Sequence, residues 1–140
     1  MARDKSRHQA WETANKARRA EQRSQNKAKN FHRYWARTSI YNHIKRDMVV
    51  EFDVSWLEEK ALNTECCELC GEKLRWEPAG FQGMYFNTPT LDRVFNATTL
   101  TKDTIKILCN SCNSGKGTQS LEEYIAKCKR IAQKYESEMI

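Results

Sequence analysis

The chain has 140 residues, 39% of them apolar and 30% charged, which limits it to one domain around a small core, with room for an appendage. No apolar run approaches the roughly 20 residues of a bilayer-crossing helix, and the amino terminus has no signal-like stretch, so a soluble protein with a cytoplasmic location is expected. The net charge of +6 is uneven: residues 1–47 hold 13 Lys/Arg against 4 Asp/Glu, the remainder 11 against 14, the pattern of a basic arm on a nearly neutral body that suits a polyanionic partner.

Residues 1 to about 34 are rich in Ala, Arg, Lys, Gln and Asn and contain no Gly or Pro. These residues favour a helix, but Trp11, Phe31 and Tyr34 are its only large apolar groups, so it would be polar nearly all round. Such a helix either leans on nucleic acid or frays as a solvated tail. As a DNA-binding element it would set Arg18, Arg19, Arg23, Lys27 and Lys29 against backbone phosphates, supplying affinity more than sequence choice. Trp35, Ile40, Tyr41 and Ile44 then predict a short amphipathic helix over 35–47. The basic helical arm is therefore expected to span 1–47 and the remaining module 48–140.

Ser55-Trp-Leu-Glu58 has the capping-box pattern and predicts a helix from Ser55 to about Leu62. Cys66-Cys-Glu-Leu-Cys-Gly71 reads as a tight knuckle, with Gly71 in the left-handed backbone that lets amides point at a thiolate. Residues 73–87 are irregular, marked by Pro78, Gly80 and Gly83. Thr90–Phe95 and Thr104–Leu108 alternate and are β-prone, so they predict a hairpin closed by a polar, turn-like loop over 96–103. A short helix is expected near Asn113. A second capping box, Ser120-Leu-Glu-Glu123, opens a terminal helix with Leu121, Tyr124, Ile125, Cys128, Ile131, Ala132 and Tyr135 along one face.

Two C-x-x-C pairs, Cys67/Cys70 and Cys109/Cys112, stand 38 residues apart. Two intervening residues let both sulfurs of a pair reach one ion at about 2.3 Å, and four thiolates are a structural Zn²⁺ set. The intervening stretch is too long for a minimal zinc ribbon, so a folded unit is expected between the pairs. Cys66 is the less suitable neighbour because spacing to Cys70 favours Cys67, and Cys128 reads as a core residue. A closed four-thiolate ion holds structure and hydrolyses nothing, so chemistry would need a second, harder ion on oxygen ligands, Mg²⁺ or Mn²⁺. Asp92 and the Asn113 amide are the candidate ligands; Asp92 as a loop cap and Asn113 as a helix N-cap are the rival readings. Gly115-Lys-Gly117 is no P-loop, since position 110 is Asn and 117 is Gly. Lys116 is instead a candidate DNA phosphate contact, with a solvated surface lysine as the alternative.

Cys67-x-x-Cys70-Gly, Pro89-Thr-Leu-Asp-Arg-Val94 and Ile107-Leu-Cys-Asn-Ser-Cys-Asn-Ser-Gly-Lys-Gly117 together resemble the HNH nucleases of the ββα-metal class, particularly small phage-type members reading Leu-Asp-Arg in the first motif. The resemblance covers roughly residues 50–130. It implies an α+β fold: a small zinc-stapled ββα-metal module with flanking helices and the basic arm. It also implies a DNA endonuclease in which Asp92 and Asn113 hold the catalytic divalent ion. The family's usual histidine base is Arg93 here, which stays protonated and can only clamp phosphate or stabilise charge. The central family Asn falls at Thr104 or Asp103. A histidine base would have to fold back from upstream, His43 being better placed than His8 or His32, with Tyr85 a further candidate. The alternative is a non-catalytic, zinc-stabilised DNA-binding protein; an RNA-binding knuckle protein ranks last, because no aromatic stacking platform is evident.

Overall fold

The computed structural model describes residues 5–80, 83–95 and 98–138. The chain is α+β, with five helices and two small sheets among those residues. Helix α1 (Lys5–Lys29) buries none of its residues. Helix α2 (Phe31–Lys45) follows after one residue and is different in kind, because Phe31, Trp35 and Ala36 are buried. It packs on helix α3 (Val54–Leu62) through Leu57 and Ala61 of the latter. The arm expected over 1–47 therefore ends at Lys29, and α2 belongs to the body. The physical reason is the Phe31/Trp35/Ala36 stripe, which α1 lacks.

Asp47 turns the chain out of α2 in the left-handed region (φ 61°), which Asp tolerates better than most residues. Strand β1 (Val49–Val50) follows. Helix α3 is capped by Asp53, whose Oδ1 accepts the Trp56 N–H at 2.8 Å. The expected cap, Ser55, lies inside the first turn: a carboxylate three residues before a free N–H takes the capping role upstream of it.

Strand β2 (Pro89–Arg93) pairs antiparallel with strand β4 (Ile105–Cys109), in register from Pro89↔Cys109 to Arg93↔Ile105. The expected hairpin is thus present. Its connecting loop holds strand β3 (Thr99–Leu100), which pairs parallel with β1 and ties the loop to the α2–α3 layer. Asn96 and Ala97 of that loop lie outside the described residues. Helix α4 (Asn110–Lys116) leaves β4 with no linker, and helix α5 (Leu121–Glu138) follows. Ser120 caps α5 as expected, accepting the Glu123 N–H on Oγ at 3.2 Å while Glu123 Oε2 accepts the Ser120 N–H.

One cluster forms the core, with Trp35, Leu57, Leu74, Leu91, Leu100, Ile105, Ile107 and Leu108 at its centre. Trp35 Nε1–H donates to the Pro89 carbonyl at 2.9 Å in a buried contact, which fastens α2 to the start of β2. The apolar face of α5 stays outside this core: Ile125, Ile131, Tyr135 and Cys128 are exposed, so Cys128 is not the core residue its face suggested. The first turn of α5 is tied back, by the Leu121 N–H to the Val94 carbonyl and by Tyr124 against Gly115. A Cβ at Gly115 would come within 2.6 Å of the Tyr124 hydroxyl. Among the described residues, no helix is long and apolar enough to cross a membrane.

Candidate metal centre and acidic strand end

The four cysteines chosen by spacing converge. The Sγ atoms of Cys67, Cys70, Cys109 and Cys112 all lie within 4.8 Å of one another, and Cys70 and Cys109 are 3.8 Å apart. A tetrahedron of bonds of about 2.3 Å has edges of about 3.8 Å, so the cluster can hold a metal ion such as zinc. Cys66 is exposed and outside it.

Local backbone geometry builds the cluster. Within the first knuckle the Leu69 and Cys70 N–H groups point at Cys67 Sγ, at 3.4 and 3.5 Å, and Gly71 at φ +80° turns the chain so that the Glu72 N–H points at Cys70 Sγ at 3.4 Å. The Cys109 N–H reaches Cys67 Sγ at 3.2 Å from across the sheet. Cys109 itself is the N-cap of α4, its sulfur accepting the Cys112 N–H at 3.4 Å. Burial alone would raise the Cys67 thiol, but these N–H donors and the neighbouring Cys70 thiol bring it down to about 7. Cys109 and Cys112 are pushed up, first by burial and then by crowding with the other sulfurs. Four adjacent thiols cannot all ionise without a cation between them, which is the electrostatic form of the same fit.

Glu68, which no sequence motif marks, docks the knuckle on the sheet. Its N–H donates to the Ile107 carbonyl at 3.0 Å, and its Oε2 accepts the Ile107 N–H at 2.6 Å. One residue thereby closes the outer edge of β4 and sets the first C-x-x-C pair against the second. A lone Glu between two cysteines carries no periodic signal that would single it out.

Asp92 lies near the end of β2, 6% exposed. Its Oδ1 is 3.3 Å from Lys116 Nζ, and Lys116 is 1% exposed. Its Oδ2 is also buried and has no hydrogen-bond partner among the described residues. Burial raises the carboxyl above its ordinary range; the charge and hydrogen bond of Lys116, and then Arg93, pull it back in part. A buried acceptor with spare capacity suits a cation, and oxygen donors suit a hard one. Asn113, half-buried, precedes Lys116 by three residues on α4, so both belong to neighbouring positions on one helix face, and α4 packs on β2 and β4. Asn113 is not the N-cap of α4; Cys109 is. Lys116 is not the solvated surface lysine of the alternative reading, and as placed here its ammonium is turned to Asp92 rather than outward. It is buried on Asp92, because α4 leaves β4 so abruptly that its inner face lies over the hairpin.

Arg93 is half-buried, and its charge acts on both Asp92 and His43. His43, near the end of α2, therefore lies within electrostatic reach of Arg93 at the end of β2. His43 Nδ1 is 2.6 Å from the Ser39 carbonyl. Burial lowers its pKa below 6.5; the Ser39 bond opposes this, and Arg93 and Arg46 lower it further. The other candidates sit elsewhere. His8 pairs with Glu12 on α1, His32 stacks on Trp76 at 4.6 Å, and Tyr85 lies under the Arg75 guanidinium at 3.7 Å. Thr104 is taken up by Thr101, and Asp103 is exposed.

The arm residues are displayed along α1. Arg19, Arg23 and Lys27 follow one row at i, i+4 and i+8, with Arg18 and Lys29 on an adjacent row. Lys27 is half-buried over the Tyr34 ring at 4.5 Å; the other four are exposed. No family model, curated protein or solved structure matches this chain.

Proposed function

We propose that this chain is a divalent-metal-dependent DNA endonuclease of the HNH, ββα-metal type, built on a structural zinc. The observation that supports it most is the buried Asp92 carboxylate with an unpartnered oxygen, facing α4 from a two-stranded unit that the cysteine cluster clamps. In this reading the four thiolates hold zinc in a closed site, and the ion fixes strand, turn and helix relative to one another. Asp92 and Asn113 hold Mg²⁺ or Mn²⁺, which when bound supplies Lewis acidity to a scissile phosphate and neutralises its leaving oxygen.

The remaining roles fall to the chain's own groups. Arg93 cannot accept a proton, so it grips phosphate and stabilises developing charge. His43 serves as general base: its contact to the Ser39 carbonyl assigns the proton to Nδ1 and leaves Nε2 basic, and its lowered pKa keeps it neutral near pH 7. The α1 arm tracks the duplex backbone. Its 25 residues extend about 37 Å, close to one turn of B-DNA at roughly 34 Å.

The test is nicking of supercoiled plasmid with Mg²⁺ or Mn²⁺ by wild type and Asp92→Ala. Cleavage by wild type and not by the variant supports the reading; DNA binding by both with cleavage by neither defeats it. One observation favours the second reading, a zinc-stabilised DNA-binding protein without catalysis: Lys116 already neutralises Asp92 inside the fold.

A further inference from the structure

We propose that Lys116 is a resident cation of the Asp92 site, a latch that must leave the carboxylate before a divalent ion can be held there. The inference rests on the metal-dependent reading above and adds a regulation to it. Lysine is almost never fully buried unless paired. Lys116, 1% exposed, has Nζ 3.3 Å from Asp92 Oδ1. Yet the pair is incomplete: a carboxylate can accept at both oxygens, and Oδ2 is buried with no partner among the described residues.

The two cations compete for one ligand. A divalent ion drawn to Oδ2 meets an ammonium on the sister oxygen, inside a poorly screened interior where like charges repel strongly. Strong binding therefore requires the ammonium to withdraw. The anatomy allows it. Lys116 is the last residue of α4, so withdrawal of its head calls for rotation about its own four-carbon stem and for no change in the Cys109/Cys112 turn at the other end of the helix. Once off Asp92, the ammonium is available to a phosphate oxygen, which links arrival of the ion to a grip on substrate.

The experiment uses the full, zinc-loaded chain and Mn²⁺, with binding read from loss of the free-ion electron paramagnetic resonance signal. Wild type is compared with Lys116→Met, Lys116→Arg and Asp92→Asn. The latch predicts that Lys116→Met binds Mn²⁺ at least tenfold more tightly than wild type, that Lys116→Arg does not, and that Asp92→Asn loses the site. Equal or weaker binding by Lys116→Met, with the site still lost in Asp92→Asn, overturns the latch and leaves the metal site standing. Binding by Lys116→Met no tighter than by Asp92→Asn overturns the metal site and the latch together. A variant-free measurement guards against misfolding of Lys116→Met: pulse acetylation of wild type with a water-soluble amine reagent, read by peptide mass spectrometry. Saturating Mn²⁺ should raise labelling at Lys116 severalfold relative to Lys102, and unchanged labelling overturns the latch.

Discussion

Removing the Glu68 carboxylate should destabilise the body by about 2 kcal/mol, although Glu68 is not one of the four clustered cysteines. The Oε2 atom accepts the Ile107 N–H at 2.6 Å, and Ile107 is 0% exposed. A hydrogen bond to a charged group contributes roughly 1.5–3 kcal/mol, and a buried donor left unpaired costs a similar amount. Lys60 pairs with the other oxygen at 3.2 Å, but the two side chains are 22% and 27% exposed, and such pairs are worth about 0–1 kcal/mol. In a thermal melt read by circular dichroism, Glu68→Ala should fall by about 8 °C or more, taking roughly 4 °C per kcal/mol for a domain this small. Glu68→Gln keeps a neutral acceptor and should lose about half as much; Lys60→Met should lose least. Because Glu68 also sets the first knuckle against β4, Glu68→Ala should surrender its metal to a chelator faster than wild type. A Glu68→Ala melt within 2 °C of wild type would refute the claim that this side chain carries the edge of β4.

Chelation, or Cys109→Ser, should unfold the body outright, since structural zinc contributes on the order of 10–16 kcal/mol against a typical stability of about 5–15; a metal-free protein with a near-normal melt contradicts the zinc assignment. If His43 is the base, nicking should rise with pH through a value below 6.5 and then level, because only the neutral ring accepts a proton and burial, Arg93 and Arg46 favour that form. His43→Ala should lose a factor of about 10²–10⁴ and the acid limb with it; an unchanged pH–rate profile removes His43 from the reaction. Deleting residues 1–29 should weaken duplex binding and flatten its salt dependence, by about 0.9 in log–log slope for each phosphate the arm neutralises, as measured by anisotropy titrations over a salt series. The same slope in both chains would show that the arm does not touch the backbone.

The two C-x-x-C pairs, the β2–β4 hairpin, the Ser120 cap and the helical arm were legible in the sequence because each is a local matter. Ligand spacing, alternation of side chains and capping stereochemistry are set within a few residues. The β1–β3 pairing, the Glu68 clasp on Ile107, the placing of His43 within electrostatic reach of Arg93 and the burial of Lys116 on Asp92 depend on groups far apart in the chain. Two-residue strands have no detectable period, and a lysine looks solvated until the helix carrying it is laid over a hairpin. The amphipathic pattern of α5 marks the reverse case: it specifies an apolar face, but whether anything covers that face is a property of the assembled molecule. The sequence thus determined which residues could bind metal and where the charge lies. Only tertiary packing decided that the acidic strand end would be desolvated, paired on one oxygen and bare on the other, because desolvation is created by the neighbours that folding supplies.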